Sequence, residues 1–267
     1  MGPLGMSDKG VTLDGHDFLD FGASKGGCID FALRRLGGRK GLGVDIDPRK
    51  VARMKSLGYD CVEADVTDLR LRARAVRFVT MSHMLEHLPD LDAVQRTIGT
   101  AARVASDFLF IQGPYFDADE ALAARGLKFY WSDWGGHTCH LTSRLLRGVL
   151  DALRLRDYLV MARVPVADSH DPAIHPVSSP RDQHDYQPGE HPAKPFVEFS
   201  PPAFPDPVYR EMVCVVRLRR RFPGWNDVVR ARAGCEPLHG TLPWPPAAAP
   251  DRGVQPGGLL RRIRWRT

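Results

Sequence analysis

Hydrophobic residues in the first half of the chain fall into short runs separated by amphipathic stretches. A run at 18–21 has the length of a buried strand and breaks at Gly22. The stretch that follows places apolar residues at helical spacing, and Gly37 and Gly38 come just after it, as glycine often does at a helix end. A second short apolar run at 41–44 ends on Asp45. The pattern therefore predicts a β-α-β unit with a glycine-containing first turn.

The residue types in this unit favour nucleoside binding. A turn with few side chains lets a ligand approach the backbone, and the start of the following helix offers unpaired N–H groups. Asp45, at the end of the second strand, is suited to accept two hydrogen bonds from a ribose diol. The turn reads Gly22-x-Ser24-x-Gly26, which is not the G-x-G-x-x-G of NAD-binding proteins, and no P-loop motif is present. At this point the nucleoside is still open.

The alternation of strands and helices continues beyond the first unit. Asp47 and Pro48 are typical of a helix start, and Asp90 is a candidate cap for a later helix. Further predicted strands cover 61–64, 76–81, 108–111, 158–164 and 212–218, with a helix after Thr142. Strands that alternate with helices in this way predict an α/β fold built on a mainly parallel sheet.

Four segments, in order, carry a resemblance to a known family: DFGASKGG at 20–27, GVDID at 43–47, EADV at 63–66 and SHMLEHLPD at 82–90. Together they resemble the class I S-adenosylmethionine-dependent methyltransferases. The resemblance covers residues 15–112 well and 137–163 loosely. It implies a doubly wound α/β domain whose seven-stranded mixed sheet has the order 3-2-1-4-5-7-6, with the last strand antiparallel. It also implies S-adenosylmethionine as cofactor and S-adenosylhomocysteine as product.

The resemblance also implies roles for individual residues in cofactor binding. One set surrounds the methionine end of the cofactor, and a second set holds the adenosine. The first set comprises Gly22, Ala23, Ser24, Gly26, Ser82 and His83, and the second comprises Asp45 for the ribose with Ile46, Asp65 and Val66 around the adenine. The family usually has a glycine where Ser24 stands, so we expect a reshaped turn there.

Composition places the chain among soluble α/β proteins. Its 267 residues suffice for one such domain with insertions. No run approaches the ~18 apolar residues of a membrane span, and five scattered cysteines are typical of reduced thiols. We therefore expect a cytoplasmic protein. Three regions are predicted: a tag remnant and lead-in at 1–14, a methyltransferase domain at 15–221, and a Pro/Arg-rich tail at 222–267.

Positive charge is concentrated at the C-terminal end. From Arg217 onward there are eleven arginines and three acidic residues, so the rest of the chain is net negative despite an overall charge of +5. A nucleic-acid-binding face on the domain is therefore not expected. The proline-rich composition predicts an extended arm. Its end, 259–267, mixes apolar residues with arginine, which leaves open contact with an anionic membrane surface, with the domain or with a second subunit. The oligomeric state is also open.

Two insertions are predicted to form a substrate lid. The first, 112–140, contains six aromatic residues together with Asp133, His137 and His140. Transfer of a methyl group to a hydroxyl benefits from a base with a pKa near neutrality, which histidine provides. We therefore predict His137 or His140 as the base, with Asp133 orienting it or binding substrate. The second insertion, 165–207, is rich in Pro, His and Asp. We interpret its polar residues as solvated, while binding of a divalent cation by the His and Asp residues of 168–191 is left open.

No metal site is assigned from the sequence. His83 to His87 match H-x-x-E-H, a zinc-protease signature. Pro89, however, interrupts the helix that would place both histidines on one face. We interpret Glu86 and His87 as residues that orient the loop after the fourth strand.

The predicted function is O-methylation of a polar small molecule or glycan by a class I methyltransferase. Aromatic rings beside polar groups are how proteins bind sugar faces, which favours a glycan. Two alternatives are left open by the sequence: an NAD(P)-dependent oxidoreductase on a related sheet, and a non-catalytic S-adenosylmethionine-binding protein.

Overall fold

An eight-stranded sheet runs through the protein in the computed structural model, which describes residues 13, 15–220, 222, 224–231 and 234–242. Five neighbouring strands are parallel and the remaining three are joined to them by antiparallel pairing. The strands are β1 (Phe18–Phe21), β2 (Gly41–Asp45), β3 (Cys61–Glu63), β4 (Val76–Ser82), β5 (Ala105–Pro114), β7 (Tyr158–Val166), β9 (Val208–Arg217) and β10 (Cys235–Gly240), while β6 (Leu127–Phe129) and β8 (Ile174–Pro176) form a separate small sheet. The order in the large sheet is β10-β7-β9-β5-β4-β1-β2-β3.

Helices cover both faces of the sheet, so the hydrophobic core has two layers. The helices are α1 (Gly27–Arg35), α2 (Pro48–Ser56), α3 (Leu91–Val104), α4 (Asp119–Ala123), α5 (Ser143–Ala152) and α6 (Trp225–Arg230). Buried residues of α1, α2 and α6 share one hydrophobic cluster, while those of α3 and α5 belong to the other. Parallel strands covered on both faces are apolar throughout, which explains the continuous hydrophobic runs of the sequence.

The predicted α/β fold is confirmed, and its strand count is corrected from seven to eight. The predicted order 3-2-1-4-5-7-6 corresponds to β3-β2-β1-β4-β5-β9-β7. The additional strand, β10, pairs antiparallel with β7 at the edge of the sheet. Together with α6 it lies within the region for which the proline and arginine content predicted an extended arm. The sheet therefore continues past the predicted boundary at residue 221, because Trp225, Val228 and Cys235 bury apolar surface against the domain.

The two insertions are joined to each other by a small second sheet. In it β6 (Leu127–Phe129), from the first insertion, pairs antiparallel with β8 (Ile174–Pro176), from the second. Further hydrogen bonds link them: Arg181 Nε donates to the Asp133 carbonyl at 2.8 Å, and the Gly135 N–H donates to Asp182 Oδ1. Aspartates of the second insertion cap its turns, since Asp168 and Asp171 accept from backbone N–H groups two residues on. The insertions thus form one structured unit.

No helix in the described part of the chain is both long and apolar enough to cross a membrane. The interpretation of residues 1–5 as a tag remnant, and the three contacts considered for 259–267, lie outside the described residues.

Candidate functional site

The turn after β1 is shaped by a close approach of the chain at Gly22. Gly22 has φ +70°, and a Cβ atom there would lie 2.6 Å from the Cβ of Met84. The N–H groups of Gly22 and Ala23 both donate to the Val44 carbonyl, at 2.8 and 3.2 Å, so pairing with β2 continues into the turn. Only glycine combines that backbone conformation with that contact.

Ser24 stands where the related family usually has glycine, and it adopts a left-handed backbone with φ +47°. Its N–H donates to Asp45 Oδ2 at 2.9 Å, while Asp45 Oδ1 accepts from the Asp47 N–H at 3.0 Å. The Asp45 side chain is thus buried and held in place by two backbone donors. Each carboxylate oxygen retains a second lone pair, so the group can still accept from a ligand.

A cavity of about 450 Å³ opens beside this turn, at the carboxyl ends of β1, β2 and β4. It falls within the size range of small-molecule sites. Seven of the ten residues predicted to bind the cofactor line it: Gly22, Ser24, Asp45, Ile46, Asp65, Val66 and His83. The cavity is also lined by residues that the sequence reasoning did not identify, namely Met84, His87, Leu88, Pro89, Ala93 and Arg96. Four of these six residues lie within the SHMLEHLPD segment at 82–90.

The other three predicted residues do not line the cavity. Ala23 is buried beneath the turn, and a Cβ on Gly43 would lie 2.9 Å from its Cβ. Gly26 precedes α1 with φ +81° and faces the ring of Tyr59. Ser82 is the last residue of β4 and pairs with Gln112 of β5. These residues shape the backbone around the cavity.

The lining of the cavity also contains an acid, Asp65, and an exposed apolar side chain, Ile46. Asp65 Oδ1 accepts from the N–H and the hydroxyl of Thr67, at 2.8 and 2.7 Å, which holds the carboxylate at the start of a short turn. Ile46 is 67% exposed although it is strongly apolar. An exposed isoleucine on a cavity wall is available to pack on a flat ligand ring.

The other end of the cavity is bordered by His83, which has a left-handed backbone with φ +51°. Its Nδ1 lies 3.6 Å from Glu86 Oε1, and its Nε2 lies 3.3 Å from the Gln112 side-chain nitrogen. Gln112 also donates to Glu211 at 3.2 Å. Polar and acidic groups therefore collect where β4, β5 and β9 meet at this edge of the sheet.

His137 lies next to this polar edge and is half-buried. Its Nδ1 is 2.9 Å from the Trp131 carbonyl, which can only accept, so Nδ1 carries the proton and Nε2 keeps a lone pair. Burial lowers the pKa of His137, while the hydrogen bond to Trp131 acts in the opposite direction. The imidazole is therefore neutral at pH 7, as a general base must be.

His140 and Asp133 lie in different surroundings from His137. His140 is exposed, stacks on Phe116 with ring centroids 4.5 Å apart, and has Nδ1 3.6 Å from Asp119 Oδ2. Asp133 forms an ion pair with Lys128, and this lysine also donates to the Ser179 carbonyl at 2.7 Å. The Asp133 carboxylate therefore holds the two insertions together through Lys128.

His137 belongs to a cluster that the sequence reasoning did not assemble. One ligand atom from each of Glu86, His87 and His137 lies within 4.8 Å of those of the other two. The rings of His87 and His137 are 4.9 Å apart. Glu86 and His87 lie on the turn after β4, whereas His137 comes from the first insertion, so no local spacing could have indicated the group.

The cavity fits the cofactor implied by the resemblance. Its volume suits a nucleoside ligand, Asp45 offers acceptor lone pairs at the end of β2, and Asp65 is a second carboxylate in the lining. Ligand sites in open α/β sheets lie at these carboxyl ends, where the strand order reverses between β1 and β4.

Comparison with known families identifies the part of the chain that forms this cavity. Residues 18–107 match the sequence profile of a family described as "Methyltransferase domain". That span includes the glycine turn after β1, Asp45, Asp65 and the turn Leu85–His87 after β4. The match favours a methyltransferase over the alternative of an oxidoreductase. A search of curated proteins finds no match.

Solved structures show the same fold. A SAM-dependent methyltransferase from Archaeoglobus fulgidus superposes with a TM-score of 0.52 at 15% identity, over 75% of this chain and 85% of that one. A putative methyltransferase from Haloferax volcanii, solved in complex with the Trm112 activator, has a TM-score of 0.49 at 12% identity, and the match covers 78% of this chain and 84% of that one. Magnesium protoporphyrin IX methyltransferase from Synechocystis PCC 6803, solved with SAH, has a TM-score of 0.43 at 13% identity, and the match covers 76% of this chain and 74% of that one. At these identities the likeness concerns the fold alone.

Proposed function

We propose that this chain is a class I S-adenosylmethionine-dependent methyltransferase that transfers the methyl group to an oxygen of a polar small molecule or a glycan. The observation that carries the proposal is the state of His137. It is a neutral imidazole whose Nδ1 is tied to the Trp131 carbonyl and whose Nε2 keeps a lone pair, beside the turn that lines the cofactor cavity.

The proposed cofactor contacts are those that the family resemblance implies, and most of the residues concerned line the cavity. Asp45, held by the Ser24 and Asp47 N–H groups, accepts from the ribose hydroxyls. Ile46 packs on the adenine, and Asp65 accepts from its amino group with Val66 alongside. The turn Gly22–Ser24 and His83 flank the methionine end, while Ala23, Gly26 and Ser82 support the backbone behind them.

In the proposed reaction, His137 takes the proton of the acceptor hydroxyl at Nε2. When bound, S-adenosylmethionine would supply the methyl group on a positively charged sulfur, and that sulfur would leave with the electron pair of its bond to the methyl carbon. The positions of the turn and of His137 would hold the two partners in line, and such positioning is a large part of catalysis in transfers of this kind. His140, the other candidate base, is exposed and stacked on Phe116.

Aromatic residues of the first insertion support a sugar-like acceptor, although fewer of them than the sequence predicted. Four of the six are buried in the core, namely Tyr115, Phe116, Phe129 and Trp131. Tyr130 and Trp134 are half-exposed, and the Trp134 ring lies 6.5 Å from that of His137. A partly exposed indole near the base is suited to stack on a pyranose face.

The test is methyl transfer measured by mass spectrometry with nucleotide sugars, free glycans and small hydroxyl compounds as acceptors. We expect His137→Ala to slow transfer by ~10²-fold or more while S-adenosylhomocysteine affinity is retained. His140→Ala, on the same insertion, is the matched control and is expected to have a much smaller effect. Full activity of His137→Ala would remove His137 from catalysis, and methylation of amines alone would contradict O-methylation.

A further inference from the structure

We propose that Glu86, His87 and His137 form a binding site for a divalent transition-metal ion beside the cofactor cavity. Two imidazoles and one carboxylate converge there, with their ligand atoms within 4.8 Å of one another. Among the described residues no other group of three or more His, Cys, Asp or Glu side chains comes together in this way. His87 also lines the cavity, so an ion at this position would lie next to the cofactor.

Both imidazoles are oriented as metal ligands usually are. His87 Nδ1 lies 2.7 Å from the Gly136 carbonyl, and His137 Nδ1 lies 2.9 Å from the Trp131 carbonyl. A carbonyl can only accept, so each Nδ1 carries a proton and each Nε2 has its lone pair available. Histidines that bind metals typically donate their other ring N–H to a backbone carbonyl or carboxylate, which fixes the tautomer.

The third ligand is a buried carboxylate without a permanent cationic partner. Glu86 is 3% exposed, and within the described part of the chain no Lys or Arg nitrogen lies within 4 Å of its carboxylate. Its ion-pair contact is with His83, at 3.6 Å, and that contact carries charge only when the imidazole is protonated. Burying a carboxylate is costly unless a cation or hydrogen bonds compensate it. A bound metal ion would supply that compensation.

The two segments that bring the ligands together are fastened to each other. Besides the His87 contact with Gly136, the Cys139 N–H donates to the Glu86 carbonyl at 3.0 Å. Thr138 Oγ1 donates to the Leu88 carbonyl at 2.7 Å. His137 therefore lies within a segment bonded on both sides to the turn that carries the other two ligands, although the segments are about 50 positions apart in sequence. Such a site is preorganised, which favours binding.

The donor set indicates the class of ion and what it could do. Two imidazole nitrogens and a carboxylate suit Zn²⁺, Mn²⁺, Fe²⁺ or Co²⁺ better than Mg²⁺. Three protein ligands leave positions open for an oxygen of the acceptor, whose pKa a metal ion lowers. This catalytic role rests on the methyl transfer to oxygen in the proposed function, whereas binding of the ion does not. A metal ion on Nε2 would use the lone pair that the proposed base needs, so the metal role replaces the base role of His137, and the acceptor proton would leave to solvent.

The experiment measures metal binding by the full chain without cofactor or acceptor. Protein stripped with a chelator is titrated with Co²⁺, followed by its visible absorption, and with Zn²⁺ and Mn²⁺ by calorimetry. We expect one ion per chain, and at least tenfold weaker binding in His87→Ala and in His137→Ala. His170→Ala is the control, because His170 is an exposed imidazole that also contacts a carboxylate, that of Asp168. Absence of stoichiometric binding, or equal affinity in all three variants, would overturn the proposal.

Glu86→Gln tests the carboxylate, with circular dichroism and S-adenosylhomocysteine affinity as checks of folding. If the Glu86→Gln variant does not fold, metal binding by His87→Ala still tests the site, because His87 is exposed. Methyl transfer with and without EDTA separates the two proposals. Stoichiometric metal binding without turnover on any acceptor would support the site and count against the proposed function. Turnover unaffected by EDTA, together with no metal binding, would support the proposed function and count against the metal site.

Discussion

Ser24 and Asp45 are joined by a hydrogen bond of 2.9 Å from the Ser24 N–H to Asp45 Oδ2. This bond connects the turn after β1 to the end of β2, two segments that both line the cavity. It fixes the direction of the carboxylate, while the Asp47 N–H holds the other oxygen. The ribose site proposed here is therefore a carboxylate that is already oriented before a ligand arrives.

Replacing Asp45 should weaken cofactor binding. Asp45→Ala removes a charged acceptor, and we expect S-adenosylhomocysteine affinity to fall by about 1–3 kcal/mol in isothermal titration. Asp47→Ala is the matched control, because Asp47 caps α2 and does not line the cavity. Its loss should lower stability by about 1 kcal/mol with little change in affinity. Unchanged affinity in Asp45→Ala would contradict the ribose role.

Ser24 provides a second prediction, about the backbone of the turn. Because Ser24 has φ +47°, glycine relieves strain there but adds freedom to the unfolded chain, and the two effects oppose each other. We expect Ser24→Gly to change the free energy of unfolding by less than about 1 kcal/mol. Ser24→Val, whose branched side chain disfavours this conformation, should lose about 1–3 kcal/mol. Urea unfolding distinguishes the two, and equal stability of both variants would argue against a strained turn.

Asp20 makes stability depend on pH. This buried carboxyl, in the middle of β1, accepts from the Thr80 hydroxyl at 2.7 Å, and burial raises its pKa from 3.8 to about 7. Between these two values the folded protein keeps a proton that the unfolded chain has released. The free energy of unfolding therefore falls as pH rises through this window.

Asp20→Asn should remove that dependence. We expect the variant to be more stable than the original protein at pH 8, on the order of 1–3 kcal/mol, with a smaller advantage at pH 5. Urea unfolding at both pH values measures the difference. Asp68→Asn, at a carboxyl 82% exposed, serves as the control. An advantage that does not grow with pH would show that Asp20 ionises as readily in the fold as in the unfolded chain.

Truncation tests the edge of the sheet. Removing residues 223–267 deletes α6 and β10 and uncovers β7, so we expect a loss of several kcal/mol of stability from the buried side chains of Trp225, Val228 and Cys235. None of these residues lines the cavity, and the fraction that folds should bind S-adenosylhomocysteine normally. A chain ending at Leu242 isolates the contribution of the helix and strand. Equal thermal stability of both truncations would mean that α6 and β10 contribute nothing.

Local patterns in the sequence sufficed for seven of the eight strands of the large sheet, the starts of α2, α3 and α5, and the glycine turn with Asp45, while the order of the strands came from the family resemblance. Hydrophobic periodicity, helix caps and glycine positions depend on a few neighbouring residues, so they can be recognised in the sequence without knowledge of the fold. The eighth strand was missed because the proline and arginine content around it hid a short apolar segment, whose pairing with β7 depends on a partner about 75 residues earlier.

Tertiary structure alone decided which side chains meet beside the cavity. That His137 is held as a neutral imidazole and meets Glu86 and His87 depends on hydrogen bonds within the first insertion and between it and the turn after β4. Likewise, the pairing of β6 with β8 unites two insertions that look separate in sequence. Such contacts join segments far apart along the chain, and their geometry exists only once the domain has folded.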